Sequence, residues 1–129
     1  MSRREKEKAR ARKEQRAAGP ATAQLRGLRM SARKIRVVAN GIRGMNVDDA
    51  ATSLALQQRR AAGPLRKVLE AAVASADDRN MDIDKLVVSE VQIHKGAIMR
   101  RYQPRAHGRA NRIRKQTAHI QISLTEKED

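Results

Sequence analysis

One acid-free basic segment, residues 96–115, constrains the fold of this chain most strongly. It reads GAIMRRYQPRAHGRANRIRK and contains seven Arg or Lys residues. Segments with strand character flank it at 86–94 and 117–124, and the turn residues Pro104 and His107–Gly108 lie near its middle. This pattern predicts an antiparallel β-hairpin. Two arms of about eleven residues at roughly 3.3 Å each would project about 35 Å, too far to lie wholly on a small domain.

The charge of this hairpin argues against its standing alone. A two-stranded ribbon is at best marginally stable in water. The seven cations of 96–115 have no acid among them to offset their mutual repulsion. We therefore expect an anionic partner to surround the hairpin.

The charge of the whole chain is concentrated in two blocks. The net charge is +15, from 29 basic and 14 acidic residues. Residues 1–29 hold 10 basic and 3 acidic residues, and residues 95–115 hold 8 basic residues and no acid, whereas the remainder holds 11 of each. A charge excess that served solubility alone would not require this segregation. The pattern favours a polyanion, of which nucleic acid is the usual one.

Composition argues against several other classes of protein. The absence of Cys excludes disulfides and Cys-based zinc sites. The sequence has no run of about twenty apolar residues and no apolar signal segment at its start. Glu5, Glu7 and Glu14 argue against an organellar transit peptide, which is poor in acids. The lack of Cys fits a reducing compartment, and we expect no membrane partner.

The sequence also lacks the residue groups that carry catalysis. His94, His107 and His119 have no metal-ligand spacing, and no Cys or clustered carboxylate joins them. No Gly-rich loop of the nucleotide-binding types is present. We expect no enzyme activity, no catalytic residues, no metal and no cofactor.

Hydrophobic periodicity and capping residues predict three helices. They follow Ser31, Asp48 and Gly63–Pro64, which suit the first positions of a helix. The predicted helices span 32–43, 49–59 and 64–76. The third has the clearest core-facing stripe, formed by Leu65, Val68, Leu69, Ala72, Val73 and Ala76.

Alternation predicts the strands of a small sheet. A short strand is expected over 21–29. In 86–94, Val87, Val91 and Ile93 are predicted to share one face. In 117–124, one face carries Ala118, Ile120, Ile122 and Leu124.

These elements predict an α+β fold: a small body of three helices packed on a three-stranded antiparallel sheet, with a long protruding β-hairpin over 94–117. We expect a single domain over 21–129. Residues 1–20 form a basic extension that we expect to be disordered without RNA. Two readings of this extension stay open: a tail that lies on phosphates, and a dispensable solvated tail.

Arginine rather than aromatic stacking is expected to bind the polyanion. The chain has no Phe or Trp and one Tyr, so the usual stacking platforms are missing. Guanidinium groups bind phosphate in a bidentate way and also stack on bases. Tyr102 suits either stacking on a base or packing between the arm and its partner. Arg33 and Lys34, near the start of the first body helix, suit either a solvated face or a phosphate site.

Three segments resemble one known family. They are RMSARKIRVVANGIRG (29–44), the helix 64–76 and KGAIMRRYQPRAHGRANRIRKQTAHIQISL (95–124). They resemble the bacterial-type large ribosomal subunit protein twenty-two family over about residues 24–124. The motif PRAHGRANRIRKQTAHI is specific, whereas residues 1–20 lie outside the family pattern.

The resemblance implies a globular body on the outer surface of the large subunit. It implies a hairpin that threads between ribosomal RNA domains, with a tip at about 100–112 that lines the peptide exit tunnel near a constriction. It further implies a role in assembly and an influence on nascent chains and macrolide access. Partners would be large-subunit ribosomal RNA, neighbouring ribosomal proteins and the nascent peptide on a cytoplasmic ribosome.

Charge and resemblance together define the expected site residues. The expected ribosomal RNA contacts are Arg33, Lys34, Arg36, Lys95, Arg100, Arg101, Arg105, His107, Arg109, Arg112, Arg114 and Lys115. The expected tunnel-tip residues are Met99, Arg100, Arg101, Tyr102, Pro104, Arg105, Gly108 and Arg109. The alternative is an architectural DNA-binding protein with basic β-arms, for which Ile98, Met99 and Pro104 form a weak apolar wedge.

Overall fold

A computed structural model describes residues 2–17 and 19–128 of the chain. Most of its helices precede most of its strands along the chain. In chain order they are α1 (Arg3–Ala17), β1 (Ala21–Leu28), α2 (Ala32–Ile42), α3 (Val47–Leu56), α4 (Ala62–Asp77), β2 (Leu86–Lys95), β3 (Met99–Pro104), β4 (Ala110–Lys115) and β5 (Ala118–Glu126).

The body contains a three-stranded antiparallel sheet in the order β1, β5, β2. Ala21 pairs with Leu124 at one end, and Leu28 pairs with Ala118 at the other, next to the hairpin. The chain therefore enters the sheet at the end far from the hairpin. The predicted apolar face of β5 is confirmed, because Ala118, Ile120, Ile122 and Leu124 are all buried.

The helices α2, α3 and α4 form a single layer against this sheet. α2 packs on β2, α4 packs on β1 and β5, and α3 packs on α4. The predicted stripe of α4 lies in the core: Val73 is half-buried, and the buried members are Leu65, Val68, Leu69, Ala72 and Ala76. The predicted α+β class, with three body helices, a three-stranded antiparallel sheet and a protruding hairpin, is confirmed.

The outer edge of β2 is covered by the body itself. The Arg43 guanidinium donates to the Val91 carbonyl at 2.7 Å, and the Arg36 guanidinium donates to the Ile93 carbonyl at 2.9 Å. Nearer the start of β2, the Gly44 N–H donates to the Val88 carbonyl at 2.9 Å. An exposed edge strand is a template for unwanted pairing, and these bonds block the template.

The structure corrects the predicted start and end of α3. The prediction was 49–59 with Asp48 as N-cap, whereas Asn46 is the N-cap and the helix covers Val47–Leu56. The earlier start buries Val47 in line with Ala50 and Leu54. Asp48 lies within the first turn, where its negative charge still favours the helix dipole.

Ser31 does occupy the N-cap position of α2, as predicted. Its side chain makes no capping hydrogen bond, however, and its backbone is extended. Ser31 therefore begins this helix through its extended backbone, and its hydroxyl does not cap the first turn. The predicted end at residue 43 is one residue beyond the observed end at Ile42.

The predicted face of β2 is wrong. Val88 pairs with Leu124 and Glu90 pairs with Ser123, so Ser89 is an extra residue in this strand. One extra residue moves the following side chains to the other face. Leu86 and Val88 therefore join Val91 and Ile93 in the core, whereas Val87 is half-buried.

The extension contains the helix α1, whose described side chains are exposed. Helical structure there was not predicted for the free chain. Our expectation that residues 1–20 are disordered without RNA concerns the isolated protein in solution, and it stays a prediction.

Truncation of Leu69 should destabilise the body. Leu69 is 1% exposed at the centre of the α4 stripe, so Leu69→Ala should lower the free energy of unfolding by about 2–5 kcal/mol, because it leaves a cavity. Leu56→Ala is the matched control, because Leu56 is 78% exposed. Urea denaturation that gives equal losses for the two variants would contradict this placement of the core.

Candidate nucleic-acid interface

β3 and β4 form a hairpin that is separate from the three-stranded sheet. Their antiparallel pairing runs from Met99 with Lys115 at the root to Pro104 with Ala110 near the tip. Every residue over 100–112 is exposed. The hairpin therefore presents both of its faces to a partner.

The tip is closed by a compact turn. The Arg105 N–H donates to the Arg109 carbonyl at 2.7 Å. Between them, His107 and Gly108 have φ of 61° and 67°, a conformation that glycine adopts without strain and that other residues rarely adopt. The predicted turn at His107–Gly108 is confirmed, and the exposed residues Arg105 and Arg109 flank it at the tip.

One face of the hairpin places like charges opposite each other. Arg100 pairs with Arg114, and Tyr102 pairs with Arg112 on the same face. Like charges directly across a strand pair are destabilising. The other face carries the cross-strand pairs Met99 with Lys115, Arg101 with Ile113, and Gln103 with Asn111.

No acid neutralises these cations within residues 2–17 and 19–128. The ion pairs of these residues are Arg3 with Glu7 at 3.5 Å and Arg66 with Glu70 at 3.0 Å, and neither lies in the hairpin. The guanidinium groups of the arm are thus free to bind an external anion.

The root of the hairpin is closely packed. The Gly96 N–H donates to the Thr117 carbonyl at 2.8 Å, and the Thr117 hydroxyl donates to the Ala97 carbonyl at 2.6 Å. A Cβ at residue 96 would overlap the Thr117 hydroxyl oxygen and lie 3.1 Å from the ring of His119. The first arm has one more residue than the second between the pairs Gly96–Thr117 and Met99–Lys115. This irregularity separates the hairpin from the sheet.

A cleft of about 1070 Å³ lies beside the root. The start of α2, the loop between α3 and α4, and the end of β4 form its walls. Its lining includes seven cations and no acid, namely Arg29, Arg33, Lys34, Arg59, Arg60, Arg114 and Lys115. The positive end of the α2 dipole adds to this field. The cleft is therefore suited to a strand of phosphates.

The lining of this cleft includes residues that the sequence predicted as contacts with the polyanion and others that it did not. Arg33 and Lys34 were predicted from the helix start, and Arg114 and Lys115 from the hairpin. Arg29, Arg59 and Arg60 were not predicted. The available signal was the adjacent pair Arg59–Arg60 in a loop before Gly63–Pro64, which puts both charges at a surface.

Two other expected contacts lie outside the cleft. Arg36 faces the edge of β2, where it donates to the Ile93 carbonyl. A guanidinium has five N–H donors, so this bond leaves others for a phosphate. Lys95 is exposed at the end of β2. The expected contacts at Arg100, Arg101, Arg105, His107, Arg109 and Arg112 lie along the arm and its tip.

The histidines have local structural roles. His119 accepts a hydrogen bond from the Gly27 N–H at its Nδ1 atom, over 3.0 Å. His94 lies opposite His119 in the sheet and is 3.4 Å from the Gln92 side-chain oxygen. No group of three or more metal-ligating side chains occurs in the part of the chain that the structure describes. None of its helices there is long and apolar enough to cross a membrane.

The geometry by itself defines a class of protein. A body with a net charge near zero carries a cationic arm with unpaired guanidinium groups, and a cationic cleft lies at the root of that arm. This is the arrangement of a structural protein that binds nucleic acid mainly through its phosphates.

Comparison with known proteins identifies the family. The family model for ribosomal protein L22p/L17e matches residues 23–125, and the chain belongs to this family. The large ribosomal subunit protein uL22 of Myxococcus xanthus is 45% identical over 108 residues, which cover 81% of this chain and 95% of that protein. The uL22 proteins of Oceanobacillus iheyensis and Desulfosudis oleivorans are 43% and 41% identical, over 84% and 82% of this chain and 97% and 93% of their own lengths.

The family assignment confirms the resemblance found in the sequence. The matched residues include the body and the whole hairpin, whereas residues 1–22 lie outside the match. The family is one of structural ribosomal proteins and not of enzymes.

Addition of a methyl group at Gly96 should disturb the hairpin root. Gly96→Ala displaces the Thr117 hydroxyl from the Ala97 carbonyl, so the free energy of unfolding should fall by about 1–3 kcal/mol, as for other overpacked sites. Gly41→Ala is the control, because nothing lies within 4 Å of a Cβ there; it should be neutral or stabilise α2 by up to about 1 kcal/mol. Urea denaturation and the NMR shifts of Thr117 measure both effects. An unchanged Thr117 in Gly96→Ala would contradict the packing described.

Proposed function

We propose that this chain is a structural constituent of the large ribosomal subunit, where it binds ribosomal RNA and aids assembly. The cleft at the hairpin root and the arm provide the RNA contacts. Neighbouring ribosomal proteins are further partners, and the protein works on the ribosome in the cytoplasm. The family assignment and the names of its relatives support this proposal.

The observation that carries the proposal is the uncompensated charge of the arm. Arg100 faces Arg114 across the hairpin, and no ion pair relieves them within the described residues. Phosphate on either side would convert this repulsion into attraction. Burial among RNA backbones therefore explains why such a segment forms a long exposed hairpin.

We further propose that the hairpin tip lies in the wall of the nascent-peptide exit tunnel. The residues assigned to that wall are Arg100, Arg101, Tyr102, Pro104, Arg105, Gly108 and Arg109, together with Met99, which pairs with Lys115 at the root end of the arm. Ten residues from Gly96 to Arg105 at about 3.3 Å each give a reach of roughly 33 Å. That reach lets the tip contact a site well inside RNA while the body stays outside. The turn is compact, because Gly108 has no side chain.

An architectural role on DNA is less well supported. Such proteins kink DNA with an apolar wedge at the tip of the arm. Here the tip residues are polar and basic, and the half-buried apolar residues Met99 and Ile113 lie nearer the root. The family match favours the ribosomal role.

Salt dependence tests RNA binding by the arm. The full chain should bind protein-free large-subunit ribosomal RNA with an affinity that falls steeply as salt rises. The triple variant Arg100→Gln/Arg112→Gln/Arg114→Gln should make the slope of log K against log salt shallower by about two to three, because each phosphate contact contributes roughly 0.7–0.9.

The matched control removes three exposed charges from the body, with Lys67→Gln/Lys85→Gln/Lys127→Gln. It should leave the slope within error of the parent. Equal slopes for the arm variant and the parent would overturn the proposed role of the arm. A parent chain that does not bind the RNA would overturn the whole proposal.

A single cysteine tests the tunnel position. The chain has no Cys, so Arg105→Cys and Arg109→Cys each introduce one reactive group at the exposed tip. In translating ribosomes that contain the variant, a thiol-directed crosslinker should join each of them to a nascent peptide. Ala71→Cys, exposed on α4, is the control and should not crosslink. Absence of crosslinks from both tip positions, with normal incorporation of the variants, would exclude the tunnel assignment.

A further inference from the structure

Helix α1 is a charged element that the family match does not include. The match begins at residue 23, whereas α1 covers Arg3–Ala17. The helix contains eight basic and three acidic residues. Its only apolar side chains are those of Ala9, Ala11 and Ala17, so it has no stripe with which to dock in an apolar groove.

The basic residues of α1 form two rows on nearly opposite sides of the helix. Arg4, Lys8 and Arg12 follow one another at a spacing of four and share one side. The second row lies almost half a turn away around the axis and consists of Lys6, Arg10 and Lys13. All six residues are exposed.

The acids of α1 do not neutralise these rows in the described part of the chain. Glu7 pairs with Arg3 at 3.5 Å, and a Glu5 carboxylate oxygen accepts from the Ser2 N–H at 2.7 Å. Like charges four residues apart destabilise an isolated helix. Positive residues in its first turn also oppose the dipole. An anion on each side of the helix would remove both penalties.

The body holds Gly19 and Pro20, which follow α1 in the chain, at the end of the sheet opposite the hairpin. The Arg79 guanidinium donates to the Gly19 and Pro20 carbonyls at 2.8 and 2.7 Å. Ala21 follows directly and pairs with Leu124. The paired segment of β5 from Leu124 to Ala118 spans about 20 Å, and the hairpin leaves from its other end. The two positive blocks are therefore attached to opposite ends of the sheet.

We propose that α1 is a second RNA-binding element that lies between two phosphate backbones, one against each basic row. Two opposed rows suit a helix with anions on both sides better than a helix laid on one surface. The deep, narrow major groove of A-form RNA does not admit an α-helix of 10–12 Å diameter. The two backbones therefore belong to neighbouring RNA segments. This inference rests on the proposed function, because it takes ribosomal RNA as the polyanion.

Neutralisation of each row in the full chain tests the proposal. The variants are Arg4→Gln/Lys8→Gln/Arg12→Gln and Lys6→Gln/Arg10→Gln/Lys13→Gln, with Lys67→Gln/Lys85→Gln/Lys127→Gln as the charge-matched control. Binding to protein-free large-subunit ribosomal RNA is measured over a range of salt. Each row variant should make the log K slope shallower by about two to three, and the control should not.

The outcomes separate this inference from the proposed function. If one row variant binds like the parent, the helix lies on a single surface and the two-backbone arrangement is overturned. If both bind RNA like the parent but enter ribosomal subunits poorly, α1 contacts a protein and the inference is overturned while the function stands. A parent chain without affinity for the RNA overturns both.

A second variant tests the need for helical geometry. Ala11→Pro breaks the helix without changing any charge, and Ala11→Ser is its matched control. The proline variant should lose salt-sensitive binding to nearly the extent of a row variant, because the rows are no longer aligned. Full binding by Ala11→Pro would mean that a flexible polycation suffices, and it would overturn the proposed arrangement.

Discussion

Repulsion between cations across the hairpin is the constraint on which the rest of the structure depends. Arg100 faces Arg114 without a counterion in the described residues, and such pairs weaken a strand ladder. Strands β3 and β4, of six residues each, form a two-stranded ribbon, and an isolated ribbon of two strands is at best marginally stable in water. Attachment to a stable sheet offsets part of this cost through the packed root at Gly96 and Thr117. Phosphate supplies the remainder when the arm is bound.

The positive charge of the chain is concentrated in its extensions, whereas the body is neutral as a whole. Residues 30–94 and 116–129 hold equal numbers of basic and acidic residues, although four of these cations, Arg33, Lys34, Arg59 and Arg60, line the cleft at the hairpin root. The core depends on Leu, Ile, Val and Ala side chains, so its stability does not rest on charge pairs that salt would screen. The charged side chains of the arm are therefore available for contacts with RNA.

Local sequence patterns predicted much of this fold, because turns and alternating strands are determined by residues that are close in sequence. The turn at His107–Gly108 and the alternation of β5 follow from residue type and spacing. The bulge at Ser89 could not be predicted, since only pairing with β5 reveals that one residue is extra. The cleft could not be predicted from the sequence either. Arg59 and Arg114 are far apart in sequence, and they line one cleft because α2, the α3–α4 loop and β4 meet there.

Arg36 illustrates why charge alone does not assign a role. Its charge and the family resemblance predicted a phosphate contact, yet it donates to the Ile93 carbonyl. Arg43, at the C-cap of α2, donates in the same way to the Val91 carbonyl. Both bonds cap an edge strand, and a guanidinium performs this role without losing its charge. Edge protection and phosphate binding are therefore compatible in Arg36. In the arm, by contrast, Arg100 and Arg112 make no such internal bond among the described residues, and an external anion is the partner that remains to them.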